Sequence, residues 1–192
     1  MSDRPKILAF SGSTRKDSYN KMLVKIAAKG AEEAGAEVTI IDLGDYPLPL
    51  YDGDSETEIG LPENGRKLKD LFLENDGLLI SSPEYNSSYS AVLKNTIDWV
   101  SRPVKDYPPL EVFIGKVAAV ISASPGGLGG LRGLVHIRSV LGNIKVLVIP
   151  EQIAVGLAGK MFNSDGSMTD SKKEEQIKAI GQKLAETIKK LR

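Results

Sequence analysis

The chain has 192 residues, enough for one domain with a sizeable core or two very small ones. Hydrophobic residues make up 41% and charged residues 26%, and 25 Lys plus Arg balance 25 Asp plus Glu, so the chain reads as an ordinary globular protein and not as a general nucleic-acid binder. The absence of cysteine excludes disulfides, thiolate nucleophiles, redox dithiols and cysteine-based metal sites together.

The N-terminal stretch MSDRPKILAF is too polar, and its apolar part too short, for a signal peptide. No apolar run approaches the roughly 20 residues of a membrane span. A soluble, cytoplasmic protein without a membrane partner is expected.

The first apolar run is Lys6–Phe10, KILAF, and reads as a strand. It leads into FSGSTRKDSYN, Phe10–Asn20, a loop crowded with short donors. A helix follows, marked by Leu23, Ile26, Ala27, Gly30, Ala31 and Ala34, with Gly35 as its stop. Glu37–Leu43 is the second strand, and Gly44–Pro62 is an irregular stretch rich in Pro, Asp and Gly. Leu68, Leu71 and Phe72 mark the second helix and Gly77–Ser81 the third strand. Ser90 caps a third helix carrying Leu93, Ile97 and Val100. Val117–Ser122 is the fourth strand, Leu131–Leu141 the fourth helix and Ile144–Ile149 the fifth strand. A second irregular stretch, Glu151–Asp170, precedes an amphipathic helix on which Ile177, Ile180, Gly181, Leu184, Ile188 and Leu191 share a face. Ser171 with Glu174 gives its start a capping-box signal.

Near-continuous apolar strands alternating with helices predict an α/β fold with a doubly wound parallel sheet. Residues 1–192 are read as one domain, with no internal repeat or linker. In such sheets ligands sit outside the carboxyl ends of the strands, so the loops after strands are where a site belongs.

The first of these loops opens a helix, whose free N–H groups and partial positive charge attract anions. Ser11, Ser13, Thr14 and Ser18 add hydroxyls, Asn20 an amide and Arg15 a planar charged fork. That donor set suits a phosphate monoester. Neither the P-loop pattern nor the dinucleotide G-x-G-x-x-G is present, since the loop holds only Gly12. Taken alone, the loop equally suits simple helix capping by Ser and Asp with Arg15 in solvent. After the third strand come Pro83, Glu84, Tyr85 and Asn86, which offer apolar faces and an amide to a flat ring. After the fourth, Ser124 precedes Gly126, Gly127, Gly129 and Gly130, glycines that expose backbone N–H groups and permit close approach. Singly, these are a turn and a flexible loop; together they share one edge of one sheet.

The stretches GSTRKDSYN (Gly12–Asn20), PLYDGD (Pro49–Asp54), SPEYNSSYSAVLKNTIDWVSRP (Ser82–Pro103) and GGLGGLRGLVHIRSVL (Gly126–Leu141) resemble the NADPH-dependent FMN reductase family, which includes quinone and chromate reductases and some azoreductases. The resemblance spans nearly the whole chain. It implies a flavodoxin-like five-stranded sheet of order 2-1-3-4-5. It also implies an FMN cofactor, NADPH or NADH as co-substrate, a small-molecule electron acceptor, and a homodimer or homotetramer. Carried onto this sequence, it places Ser11, Ser13, Arg15, Ser18 and Asn20 at the FMN phosphate, with Thr14 and Tyr19 also in contact with cofactor. Pro83, Glu84, Tyr85 and Asn86 would line the isoalloxazine, and Ser124, Gly126 and Gly127 would close its other side. The implied reaction is hydride transfer through flavin N5, in ping-pong order, to quinones, flavins, azo compounds or metal oxyanions such as chromate. The other reading of the same loops is a non-enzymatic flavodoxin-type electron carrier; the neutral charge and Arg15 argue against it. One departure is KDYPPLEVF, Lys105–Phe113, which is long for the pattern.

Four further features have plain readings. Trp99 serves packing or an interface, and an interface position between subunits follows if the resemblance holds. His136 has no second ligand at metal spacing and is read as structural. Asp52 and Asp54 form a turn rather than a metal site. Met161 and Phe162 either cover a ligand or anchor their loop.

Overall fold

A computed structural model describes residues 4–104 and 107–192. Five parallel strands form one sheet: β1 (Lys6–Ser11), β2 (Glu37–Asp42), β3 (Gly77–Ser81), β4 (Val117–Ala123) and β5 (Leu147–Val155). Their order is β2-β1-β3-β4-β5, as the resemblance implied. The register pairs Ile7 with Val38 on one side and Gly77 on the other.

Helices cover both faces, which explains why the central strands are apolar throughout. On one face lie α1 (Tyr19–Glu33) and the C-terminal α7 (Ser171–Leu191), burying Leu23, Ala27, Ile177 and Leu184 over Ile7, Leu79 and Ile121. These two helices touch backbone to backbone: a Cβ on Gly181 would lie 1.8 Å from the Ala27 carbonyl oxygen. On the other face, Leu68 and Phe72 of α3 (Glu63–Glu74), Leu93 and Ile97 of α4 (Ala91–Val100) and Leu134 and Ile137 of α5 (Leu131–Asn143) pack over Leu8, Phe10 and Ile80. Among the described residues, no helix is long and apolar enough to cross a membrane.

The fifth strand departs from expectation. Ile144 caps α5 and Lys145 has φ 75°, so both close the helix instead of opening the strand. The strand then runs past Pro150 to Val155. The register jumps there, with Ala118 opposite Val148 but Val120 opposite Gln152. Pro lacks the ladder N–H and is tolerated at such an irregularity. Residues 151–155, expected to be irregular, therefore belong to the sheet, and a short α6 (Ala158–Met161) follows.

Within the other irregular stretch, Asp52 accepts from Asp54 N–H at 2.9 Å and Ser55 N–H at 3.0 Å, starting α2 (Gly53–Ile59). The start of α7 lies one residue earlier in role than expected. Asp170, not Ser171, is the cap, while Glu174 accepts from Met168 N–H at 3.1 Å. Lys105 and Asp106 lie outside the described residues. After them, Val112 and Phe113 are fully buried, and the Phe113 ring meets Phe72 edge-on at 5.6 Å, so this long segment is anchored in the core.

Candidate active site

The carboxyl ends of β1, β3 and β4 bring three loops together. Asn20, in the first turn of α1, ties them. Its Nδ2 donates to the Ala123 carbonyl at 2.9 Å, and its Oδ1 accepts from Ala123 N–H and from Ser81 Oγ, each at 2.9 Å. The Asn20 side chain is thus committed to the scaffold, with one amide hydrogen left over. Ser90 Oγ, capping α4, donates to the Gly12 carbonyl and fixes the first loop from the other side.

Around this frame the first loop keeps its donors free. Ser11 Oγ is buried and has no hydrogen-bond partner among the described residues. Ser18 occupies the N-cap of α1 but makes no side-chain capping bond. Lys21 and Met22 N–H groups reach the Ser18 carbonyl, which leaves the N–H groups of Tyr19 and Asn20 as the unpaired start of the helix. Thr14, Arg15 and Lys16 are exposed beside them. Tyr19 stacks on Phe162, centroids 5.7 Å apart, so Phe162 anchors its own loop behind the site. Ser13, Arg15, Ser18, Tyr19, Pro83, Tyr85 and Ser124 line a crevice of about 60 Å³. That is far below the roughly 300–1,000 Å³ of a whole ligand pocket, so the crevice seats one small group and the rest of a ligand lies along its rim.

The rim is built from the other two loops. Tyr85 and Ser88 exchange backbone hydrogen bonds at 2.9 and 3.1 Å across Asn86 and Ser87, whose φ values are 50° and 68°. This tight turn presents Tyr85, 52% exposed, to solvent. Opposite it, the Ser124 hydroxyl accepts from Gly126 N–H at 3.2 Å, and Gly127 faces open space. Gly129 and Gly130 are buried against neighbouring atoms. A Cβ on Gly130 would sit 2.0 Å from Ser122 Oγ, so these two glycines serve packing.

Glu84 also lines the crevice, but its carboxylate is engaged elsewhere. Its carboxylate turns to the start of α5, accepting from Gly133 N–H at 2.8 Å and from Arg132 Nη2 at 3.0 Å. Desolvation pushes its pKa up, but the Gly133 N–H, the Arg132 bond and the Arg132 charge outweigh it, and the net shift is downward. Arg132 was not singled out from the sequence; its only signal was its place in GGLRG. His136 is exposed, with Nδ1 3.1 Å from Ser88 Oγ, and so buttresses the Tyr85–Ser88 turn rather than packing in the core. Trp99 is fully buried inside this chain, its Nε1 donating to the Pro49 carbonyl at 2.8 Å. The expected position between subunits is therefore corrected: Tyr51, edge-on at 5.1 Å, covers it.

A parallel sheet of this order, with a donor-rich crevice at its carboxyl edge, defines a flavodoxin-like α/β protein with a ligand site at the switch point of its sheet. The chain belongs to the NADPH-dependent FMN reductase family, whose model matches residues 5–160. It is 34% identical to an NAD(P)H-dependent FMN reductase of Pseudomonas aeruginosa over 193 aligned residues, covering all of both chains. It is 32% identical to a quinone reductase of Escherichia coli over 172 residues, covering 88% of each. Among solved structures it superposes on the flavoenzyme NAD(P)H:(acceptor) oxidoreductase FerB from Paracoccus denitrificans with a TM-score of 0.80 and 31% identity, covering 97% of this chain and 98% of that one. Membership makes the protein an oxidoreductase that uses FMN and a reduced nicotinamide nucleotide, and sets the electron-carrier reading aside. The residues present fit FMN. The orphaned Ser11 hydroxyl, the uncommitted Ser18 and the two open N–H groups suit a phosphate, and the rim suits a flat ring.

Proposed function

We propose that the protein is an FMN-dependent NAD(P)H:quinone oxidoreductase, with the flavin phosphate seated in the crevice. Ser11, Ser13, Thr14, Arg15 and Ser18 would hold the phosphate with the N–H groups of Tyr19 and Asn20. The Pro83–Asn86 segment and Ser124, Gly126 and Gly127 would flank the ring. The observation that carries this reading is the buried Ser11 hydroxyl without a partner, beside an N-cap serine that does not cap. Such groups are costly unless a ligand completes them. When bound, FMN supplies a two-electron carrier that takes hydride at N5 and passes electrons to an acceptor.

The protein's own part is to bind, orient and leave one side open. Exposed Tyr85, Asn86 and Gly127 leave the rim accessible, so donor and acceptor take turns there in ping-pong order. No side chain at the rim is placed as an essential acid, and protons come from water. Quinones are the favoured acceptors because related proteins are quinone reductases; flavins, azo compounds and chromate are alternatives. A homodimer or homotetramer is the assembly proposed. Purified protein should carry the visible absorbance of a flavin and oxidise NAD(P)H when a quinone is added. A colourless protein that neither takes up FMN nor oxidises NAD(P)H would overturn the reading.

A further inference from the structure

Behind the crevice, a larger groove of about 480 Å³ runs along the outer face of α1. Ser18 lines both, so the groove opens at the phosphate end of the flavin seat. Lys21, Lys25 and Lys29 lie along it one helical step apart, and Lys16 stands at its mouth. Lys21 is paired with Asp42, which also lines the groove and whose charge Lys25 shares at longer range. Lys16, Lys25 and Lys29 have no ion-pair partner among the described residues. Met22 and Ile26 supply apolar wall between the cations, and the 164–167 loop, with Asp165, forms the far wall. From Ser18, Lys25 is about 10 Å and Lys29 about 16 Å along the helix axis.

We propose that this groove takes an adenosine phosphate. The lysines meet phosphate charge, Met22 and Ile26 meet the flat base, and the position meets the geometry of a dinucleotide. Because Ser18 lines both, a group extending a flavin beyond a phosphate seated there would reach this groove. The volume falls within the roughly 300–1,000 Å³ typical of small-molecule sites, whereas the crevice itself does not. Two molecules carry this chemistry: FAD, through its AMP half, and NADPH, through its 2′-phosphorylated adenosine. The inference rests on the reading of the first loop as the flavin-phosphate seat, but its test does not depend on that reading alone.

The full chain and a Lys25→Ala/Lys29→Ala variant are compared in two titrations. FMN and FAD are titrated into flavin-free protein by flavin fluorescence. Adenosine 2′,5′-bisphosphate is titrated by calorimetry with and without FMN. The FMN dissociation constant should be unchanged in the variant. Either the FAD or the bisphosphate dissociation constant should rise about tenfold, since two exposed cations each contribute at most about 1 kcal/mol. A change for FAD identifies the flavin tail as the occupant; a change for the bisphosphate identifies the nicotinamide nucleotide. If the parent binds neither, or if neither constant moves, the proposal is overturned. If the parent fails to bind FMN but binds the bisphosphate in a lysine-dependent way, the flavin seat falls and the groove stands.

Discussion

The Glu84 carboxylate accepts from the Gly133 N–H at 2.8 Å, so the turn after β3 is held by the first turn of α5, 49 residues away in sequence. The carboxylate sits where the helix start carries partial positive charge, and Arg132 adds a full one. The ring-flanking turn is therefore positioned by electrostatics from behind.

Replacing Glu84 with Gln should destabilise the protein by about 1–3 kcal/mol, the scale of a charged hydrogen bond to a mostly buried group. The sign of the pH dependence follows from the lowered pKa. The contribution is fully present above the ordinary Glu value of about 4.3 and is lost as pH falls through the lower folded-state value. Urea unfolding should separate parent and variant at pH 7 and bring them together in strong acid. A gap that stays constant down to acid would show that the carboxylate's charge is not what matters.

Arg15→Ala should weaken FMN binding about tenfold or more, as expected for one charged hydrogen bond to phosphate. Riboflavin, which lacks the phosphate, should bind parent and variant alike. Unchanged FMN affinity in the variant would remove Arg15 from the site.

Asn20→Ala should cost about 1–3 kcal/mol in unfolding free energy, because the Ala123 N–H and carbonyl lose their partner in a buried setting. FMN affinity should fall with it, since the same side chain aligns the ends of β3 and β4. Thermal melts and flavin titration check the two effects together; normal stability in the variant contradicts the scaffold role.

Trp99 is the only tryptophan and is enclosed by its own chain. Its emission should have the blue-shifted maximum of a buried indole and should not move when a micromolar oligomer is diluted. Light scattering should show at least a dimer at the higher concentration. A Trp99 emission shift that tracks dissociation would return this residue to an interface.

His136→Asn should leave quinone-dependent turnover within a few-fold, because loss of an essential acid–base group typically costs about 10²–10⁴-fold. Initial-rate lines at several acceptor concentrations should be parallel. A drop of the larger size in a variant that still holds FMN would make His136 a proton donor, and intersecting lines would show both substrates bound at once.

The alternation of apolar runs with helical patterns was enough to read the sheet and the edge where ligands gather, since both follow from local periodicity. The first loop was legible for the same reason: Ser11 ends a clear strand and Ser18 is the N-cap of a clear helix. Long-range partners were not legible. The anchoring of the Glu84 carboxylate was hidden because Arg132 and Gly133 are distant in sequence. Trp99 looked available for a partner because its cover, Pro49 and Tyr51, lies in a stretch without periodicity. Gly126 and Gly130 looked equivalent, yet one faces the rim and the other fills a gap beside Ser122. The fifth strand, expected over Ile144–Ile149, runs on to Val155, because at a sheet edge Pro150 interrupts the ladder without ending the strand.

That last feature bears on how the protein behaves in a crowded solution. β5 is an outermost strand of nine residues, and an edge of that length is a template on which another chain can add. Pro150 brings no N–H near its middle, and the register jump beside it breaks the regular pairing. The longest exposed edge thus carries its own guard against sheet-to-sheet aggregation, and replacing Pro150 with a β-branched residue is the change most apt to turn that edge into a sticky one.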